Sequence, residues 1–167
     1  MVNKLILMRH AKSDWNADYR HDFERPLNRR GRKDTTRMGK WLKQSGLGPD
    51  GLISSPAVRA FQTAERVAEV LGYSRESIVP VDSLYEADLE TAFGVVQQAV
   101  NDYVCPLIIA HNPALDTLVN YLASQSPATT ASGKLMTTAA IAVFSVGGRI
   151  ERGGCELAGL VRPKEID

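Results

Sequence analysis

The chain has 167 residues, 44% of them apolar and 23% charged, with a formal net charge of +1. That length and apolar share predict one folded domain with a real core rather than a disordered chain, near-neutrality argues against nucleic acid as the main partner, and two cysteines, Cys105 and Cys155, are too few for a disulfide scaffold or a CxxC zinc module. No apolar run approaches the roughly 18 residues that span a bilayer, and residues 5–8, closed by Arg9, are too short for a signal-peptide core, so a cytoplasmic protein without membrane contact is expected.

Apolar runs of strand length alternate along the chain with segments of helical period. Residues 4–8 read as the first buried strand. Asn28 can cap a helix running to about Gln44, with Met38, Trp41 and Leu42 on its apolar face and Gly46 and Gly48 as its stop. Residues 51–54 form a second strand, and Ser55-Pro56 opens a helix whose stripe is Ala57, Ala60, Phe61, Ala64, Val67, Ala68 and Leu71. A strand at 78–81, a helix at 89–100, a strand at 106–110 and a helix opened by Asn112-Pro113 follow, the last with Leu115, Leu118, Val119 and Leu122 on one side. Residues 124–138, rich in Ser, Thr and Ala, read as a mobile loop. Residues 139–146, a Gly147-Gly148 turn and a strand at 156–161 suggest a hairpin or antiparallel edge. The alternation predicts a three-layer α/β/α sandwich around a mostly parallel sheet, as one domain over 1–167.

In open α/β sheets ligands gather beyond the carboxyl ends of the strands. Arg9-His10 follows the first strand; Ser55-Pro56 with Arg59 one turn on follows the second. Tyr85-Glu86-Ala87-Asp88 follows the third, and His111-Asn112-Pro113 the next. Two guanidinium forks, two helix N-termini and two imidazoles on one rim suit a phosphoryl group, whose outer oxygens need fixed positive donors during transfer. A neutral imidazole there can attack phosphorus and hold the group covalently, and neighbouring arginines disfavour its protonation. Taken singly, His10 and His111 read as structural or surface histidines, Arg59 as a solvated helix residue, and Glu86 and Asp88 as turn carboxylates. Only their shared position gives them a joint meaning.

Other patterns carry less. Gly46, Gly48 and Gly51 spell G-x-G-x-x-G but follow a helix and precede a strand, the reverse of a dinucleotide site. His21, with Asp22 and Glu24 nearby, reads as a solvated charged loop, and three histidines without metal-ligand spacing make a poor case for zinc. Arg29, Arg30, Arg32 and Lys33 read as a solvated basic face that could guide an acidic partner.

The residues Leu7-Met8-Arg9-His10-Ala11-Lys12-Ser13, Ser54-Ser55-Pro56 through Arg59-Ala60-Phe61-Gln62-Thr63-Ala64, and Ile109-Ala110-His111-Asn112 resemble the three ordered blocks of the histidine phosphatase superfamily, which shares the phosphoglycerate mutase fold. The short length, Asp22-Phe23-Glu24-Arg25-Pro26-Leu27 followed by Arg30-Gly31, and the ending Arg162-Pro163-Lys164 are similar to the SixA-type phosphohistidine phosphatases. The resemblance implies a phosphoglycerate mutase-like fold, His10 as nucleophile, Arg9, Arg59 and His111 as the phosphate pocket, Ser13 and Asn16 as further phosphate contacts, and Glu86 as proton donor. It implies no metal and no cofactor, with inorganic phosphate as product. Ala11 stands where the family has glycine; its methyl is tolerable if φ stays negative, and otherwise narrows the approach to His10.

Two substrate classes remain open: a protein bearing phosphohistidine, or a small phosphate ester at the same site. A third reading is a phosphate-binding module without catalysis. Residues 72–105 are taken up by expected elements and leave no inserted cover for the pocket, which suits a bulky phosphoprotein.

Overall fold

The computed structural model describes residues 3–166. The element order is β1 (Asn3–Arg9), α1 (Arg29–Gln44), β2 (Gly51–Ser54), α2 (Val58–Leu71), β3 (Ile78–Pro80), α3 (Leu89–Asp102), β4 (Pro106–Ala110), α4 (Ala114–Leu122), β5 (Ile141–Val146) and β6 (Glu156–Val161). The strands form a six-stranded sheet in the order β3-β2-β4-β1-β5-β6. The β3, β2, β4 and β1 strands are parallel, while β5 runs antiparallel to both β1 and β6. The mostly parallel sheet with an antiparallel edge is thus present.

The alternation of strand side chains divides the core in two. Ile6 and Met8 of β1, Leu107 and Ile109 of β4 and Ile141 and Val143 of β5 face one layer with Met38 and Leu42 of α1 and Ala60, Ala64 and Val67 of α2. Leu5 and Leu7, Ile108 and Ala110, and Ala142 and Phe144 face the other, against Val96 of α3 and Leu115, Leu118 and Leu122 of α4. Both faces of β1 and β4 are buried, which is why these strands read as continuous apolar runs. Each of the larger side chains contributes roughly 1.5–3 kcal/mol by leaving water. Asn28 caps α1 as the sequence suggests, its side chain accepting from Gly31 N at 2.8 Å, and Gly72 ends α2 with φ 80°.

Two expectations are corrected. The β5–β6 connection is no tight turn at Gly147-Gly148 but the whole of residues 147–155, because its end is drawn to α4: Cys155 N donates to Leu122 O at 2.9 Å and its carbonyl accepts from Ser124 N at 2.8 Å. Residues 124–138 are irregular yet fastened. Leu135 and Met136 are buried, and the buried Arg162 donates to Leu135 O (2.9 Å) and Ala128 O (2.8 Å). A guanidinium far along the chain supplies the order that local composition does not show.

The loop leaving β1 is held by backbone. Asn28 N donates to Lys12 O at 3.0 Å, Asp14 N to Pro26 O at 2.8 Å, and Ser13 bridges Leu27. Gly31, in the first turn of α1, lies so close that a Cβ there would run into the Lys12 carbonyl oxygen. Gly31→Ala is therefore expected to cost about 2 kcal/mol or more by overpacking against backbone, a fall of ~4–8 °C in Tm for a chain of this size. Thermal unfolding checks this, and an unchanged Tm would refute the close fit.

Candidate active site

Strand register assembles the site. β1 pairs with β4 as Arg9↔Ala110, and β2 with β4 as Ser54↔Ile109. His10, His111 and Ser55 consequently emerge from the carboxyl ends of three adjacent parallel strands. The ladder continues one step past them, with His10 N donating to Ala110 O and Ser55 N to Ile109 O, both at 3.0 Å, while Ala139 N donates to His10 O at 3.1 Å. The two imidazoles therefore hang from backbone as constrained as the sheet, with ring centroids 5.1 Å apart.

These side chains, with Arg9, Arg59, Ser13, Lys12, Trp15, Asp22, Arg25, Tyr85, Glu86, Asn112 and Thr138, line a hollow of about 320 Å³. His10 is only 7% exposed, and its Nδ1 lies 2.8 Å from Ala11 O. A carbonyl can only accept, so Nδ1 carries the hydrogen and Nε2 keeps the lone pair. Burial pushes the His10 pKa down to about 3 against the opposing pull of the Ala11 hydrogen bond, and His111, Arg59 and Arg9 act in the same direction as burial. Burial likewise lowers His111 to about 4, with Arg59 adding to it and Asp22 opposing. Desolvation is thus the main cause of neutrality at His10, and the arginines named in the sequence reading are secondary. His111 Nε2 is hydrogen-bonded with Ser55 Oγ at 2.7 Å.

The arginines are positioned by oxygens outside the reacting centre. Arg9 Nη1 donates to Met136 O at 3.0 Å, and Asn112 Nδ2 donates to that same carbonyl at 3.0 Å. The Met136 amide in turn donates to Asp116 Oδ1 at 2.9 Å. Arg59 donates from Nη1 to Asp22 O (2.7 Å) and from Nη2 to Asp22 Oδ2 (2.9 Å). Thr63 Oγ1 donates to Arg59 O and accepts from Ala11 N, tying α2 to the loop beside His10. Among the described residues, the buried side-chain nitrogens and oxygens lacking a partner are Arg9 Nε, Arg59 Nε and His111 Nδ1. All three belong to residues lining the hollow. A buried donor left unpaired costs on the order of 1–3 kcal/mol, and a tetrahedral oxyanion offers acceptors to several at once.

The other sequence candidates fall in different places. Ser13 lines the hollow, but its Oγ accepts from Arg25 Nε at 2.8 Å. Asn16 is exposed and outside the lining, its amide donating to Asp14 Oδ1 at 3.0 Å; it sits on a turn whose other residue, Trp15, reaches the hollow, so its spacing from His10 does not bring it in. Glu86 lines the mouth, exposed, with φ 59°, a left-handed conformation that costs a residue with a side chain roughly 1–2 kcal/mol. Asp88 caps α3 by accepting from Thr91 N at 2.8 Å. Ala11 is fully buried in the core, has no positive φ and lies outside the lining, so its methyl does not narrow the approach. The Gly46–Gly51 stretch leads into β2 at the opposite end of the sheet from the hollow.

Sequence reasoning missed Arg25, Asp22 and Tyr85. The Arg25 guanidinium stacks over the Trp15 ring at 3.7 Å and is ion-paired with Asp22. Tyr85 OH donates to Asp22 Oδ2 at 2.8 Å. Burial works to raise the Asp22 pKa, but hydrogen bonds from Tyr85, Arg25 and Arg59 outweigh it and hold the pKa at about 2. The available signal was the i,i+3 spacing of Asp22 and Arg25 ahead of Pro26. Among the described residues no group of three or more His, Cys, Asp or Glu is arranged to hold a metal ion, and no helix is long and apolar enough to cross a membrane.

Known proteins resemble this chain in sequence and in fold. A profile of the histidine phosphatase superfamily (branch 1) matches residues 5–104. The phosphohistidine phosphatase SixA of Escherichia coli is 30% identical over 83% of this chain and 83% of its own. The solved structure of the protein histidine phosphatase SixA complexed with tungstate superposes with a TM-score of 0.78 at 26% identity, covering 96% of this chain and 97% of that one. A phosphoserine phosphatase mutant from Entamoeba histolytica, solved with phosphoserine, shares the fold alone, with a TM-score of 0.69 at 15% identity over 97% of this chain and 98% of that one.

Lowered imidazole pKa values have a testable sign. The unfolded chain takes up protons at these two histidines as pH falls through about 6.5, while the folded chain refuses them until about 4 (His111) and about 3 (His10). Their contribution to stability is complete above pH ~6.5 and is lost progressively below it. In imidazole 15N spectra, His10 is expected to remain neutral at about pH 5, with protonated Nδ1 and bare Nε2. Titration near 6.5 would overturn the assignment.

Proposed function

This chain belongs to the histidine phosphatase superfamily and has the phosphoglycerate mutase-like fold; on that premise we propose that it is a phosphatase that takes the phosphoryl group of a protein phosphohistidine onto His10. The observation that carries the reading is the His10 ring itself: Nδ1–H spent on Ala11 O, Nε2 bare, and a buried setting that keeps it so. In the first step Nε2 attacks phosphorus, the P–N bond to the substrate ring breaks, and that ring, protonated on its other nitrogen, departs as neutral imidazole with the bonding electron pair. In the second step water attacks the His10 phosphoryl group, the P–Nε2 bond breaks, and inorganic phosphate leaves. Arg9, Arg59 and His111 stabilise the outer oxygens in both steps, and Arg25 adds a third guanidinium.

An open mouth supports a protein substrate. Trp15 at its edge is 65% exposed, and the chain between α2 and β4 is consumed by β3, α3 and short turns, so among the described residues this segment supplies no inserted cover for the hollow. Imidazole is also a good leaving group and asks little of a proton donor. A second reading, hydrolysis of a small phosphate ester, is favoured by Glu86: its carboxyl lies at the mouth on a strained backbone and could protonate an alkoxide.

Three outcomes test this. His10→Ala is expected to lose at least about a thousandfold in turnover. Acid-labile phosphate should be trappable on the unsubstituted chain and absent from the variant; a variant that still turns over substrate would remove His10 from the chemistry. Glu86→Gln is expected to spare phosphohistidine turnover while cutting ester hydrolysis by about a hundredfold or more. Equal losses on both substrates would count against the leaving-group argument.

A further inference from the structure

The charge of this protein is unevenly spread. Helix α1 alone carries seven cationic side chains and one carboxylate, Asp34, in a chain whose net charge is +1. Its outer face forms a groove lined by Arg29, Arg32, Lys33, Arg37 and Lys40, with Arg66 of α2 opposite and no carboxylate in the lining. Two of these are aimed by backbone, Arg32 donating to Leu27 O at 3.0 Å and Arg37 to Pro163 O at 3.1 Å. Asp34 is engaged with Arg30 at 3.5 Å.

Arg37 of this face, through its bond to Pro163 O, adjoins a further hollow that lies between the helix and the active-site mouth. This second hollow, of about 700 Å³, shares Arg9, Lys12 and Thr138 with the first and adds Arg30 of α1, Lys134 and Lys164. Its one carboxylate, Glu165, is paired with the buried Arg162. Among the described residues none of Lys12, Lys33, Lys40, Lys134 and Lys164 has an ion-pair partner. Like charges gathered at this density repel one another and are relieved by an anionic partner.

We propose that the second hollow and the outer face of α1 form one docking surface for the acidic face of the phosphohistidine-bearing protein. The inference rests on the protein-substrate reading above and names what that protein must carry: Asp or Glu side chains flanking its phosphorylated histidine. Continuity with the mouth selects this partner, because an acidic protein seated here delivers its phosphoryl group to His10. A membrane is disfavoured because the apolar residues of α1 face the core, Met38 and Leu42 buried in it and Trp41 half-buried against it, so the basic face carries no apolar side chain to insert. Single-stranded nucleic acid is disfavoured because the groove offers no aromatic ring for stacking. A small second phosphate is a poorer fit than a protein, because of the guanidiniums lining the second hollow Arg162 is occupied by Leu135 O, Ala128 O and Glu165, Arg30 is paired with Asp34, and Arg9 belongs to the active site. Mobile exposed lysines remain, and these suit steering.

The test uses two variants outside the catalytic lining, Lys33→Glu/Lys40→Glu on the helix and Lys134→Glu/Lys164→Glu beside the mouth. The substrates are a phosphorylated histidine phosphotransfer domain with glutamates flanking its phosphohistidine, the same domain with those glutamates changed to lysine, and free N-phosphohistidine. Each variant is expected to lower kcat/KM on the acidic domain about tenfold or more, through KM, and to flatten its dependence on salt. Free N-phosphohistidine should be turned over as before, and the lysine-bearing domain should regain activity with the variants. Unchanged kcat/KM on the acidic domain overturns the docking surface while leaving the protein-substrate reading intact. An equal loss on free N-phosphohistidine overturns it too, by making these lysines part of the pocket. Failure of the unsubstituted chain to turn over any phosphoprotein overturns both. Retention of RNA or phosphatidylserine vesicles that is lost in the variants, with phosphoprotein kinetics unaltered, reassigns the surface and overturns the proposal.

Discussion

Three guanidinium groups held in one small hollow repel one another, and much of the local structure exists to keep them there. Arg9, Arg25 and Arg59 all line the space beside His10. Each is oriented by an oxygen of the protein: Met136 O for Arg9, Ser13 Oγ and Asp22 for Arg25, and Asp22 through backbone and side chain for Arg59. Asp22 is central, since a single carboxylate bridges two arginines and accepts from Tyr85. With Lys12 and Glu86 offsetting each other at the mouth, three guanidiniums and Asp22 leave two positive charges, the complement of a phosphoryl dianion. Against this cationic wall the imidazoles stay neutral chiefly because they are buried, so the same walls that exclude water preserve the lone pair.

The sheet itself was readable because β1 and β4 are buried on both faces and stand out as apolar runs, and because the Asn28 cap marks where α1 begins; the cap that Asp88 gives α3 was read only as a turn carboxylate. The gathering of Arg9, His10, Arg59 and His111 followed from placing residues at strand ends, a rule of topology that needs no knowledge of loops. Loops are where the reading failed. Asn16 sits at a plausible spacing from His10 but outside the lining, since spacing in an irregular segment carries no direction. Beyond their own i,i+3 ion pair, Arg25 and Asp22 act through hydrogen-bond partners 12 to 63 residues away, and no local pattern encodes those contacts. The 124–138 segment misled by composition: its Ser and Thr suggest a loose loop, whereas Leu135, Met136 and the distant Arg162 fix its second half.

Reactivity and selectivity occupy different layers of this structure. The hollow is built from strand ends and buried side chains, and on the proposed reading its cationic wall serves any phosphate that reaches it. Discrimination falls to what surrounds the mouth: Trp15, the Phe23–Tyr85 edge-to-face pair 5.1 Å apart, and the lysines beyond. These groups stand on turns and on an exposed helix face, where substitutions cost the core nothing. One scaffold can therefore change partners while its chemistry stays as it is.

The carbonyl of Met136, shared by Arg9 and Asn112 with its own amide held by Asp116, illustrates a kind of constraint that side-chain identity does not register. A peptide group is the same whichever residue carries it, so position 136 can drift among apolar residues over evolutionary time while still serving the arginine. Loss of one residue between Asp116 and Met136 is a different matter, since it would shift the carbonyl and leave both donors without their acceptor. In a set of descendants of this chain, selection at that point would therefore be visible in spacing and gap placement rather than in the letters of an aligned column.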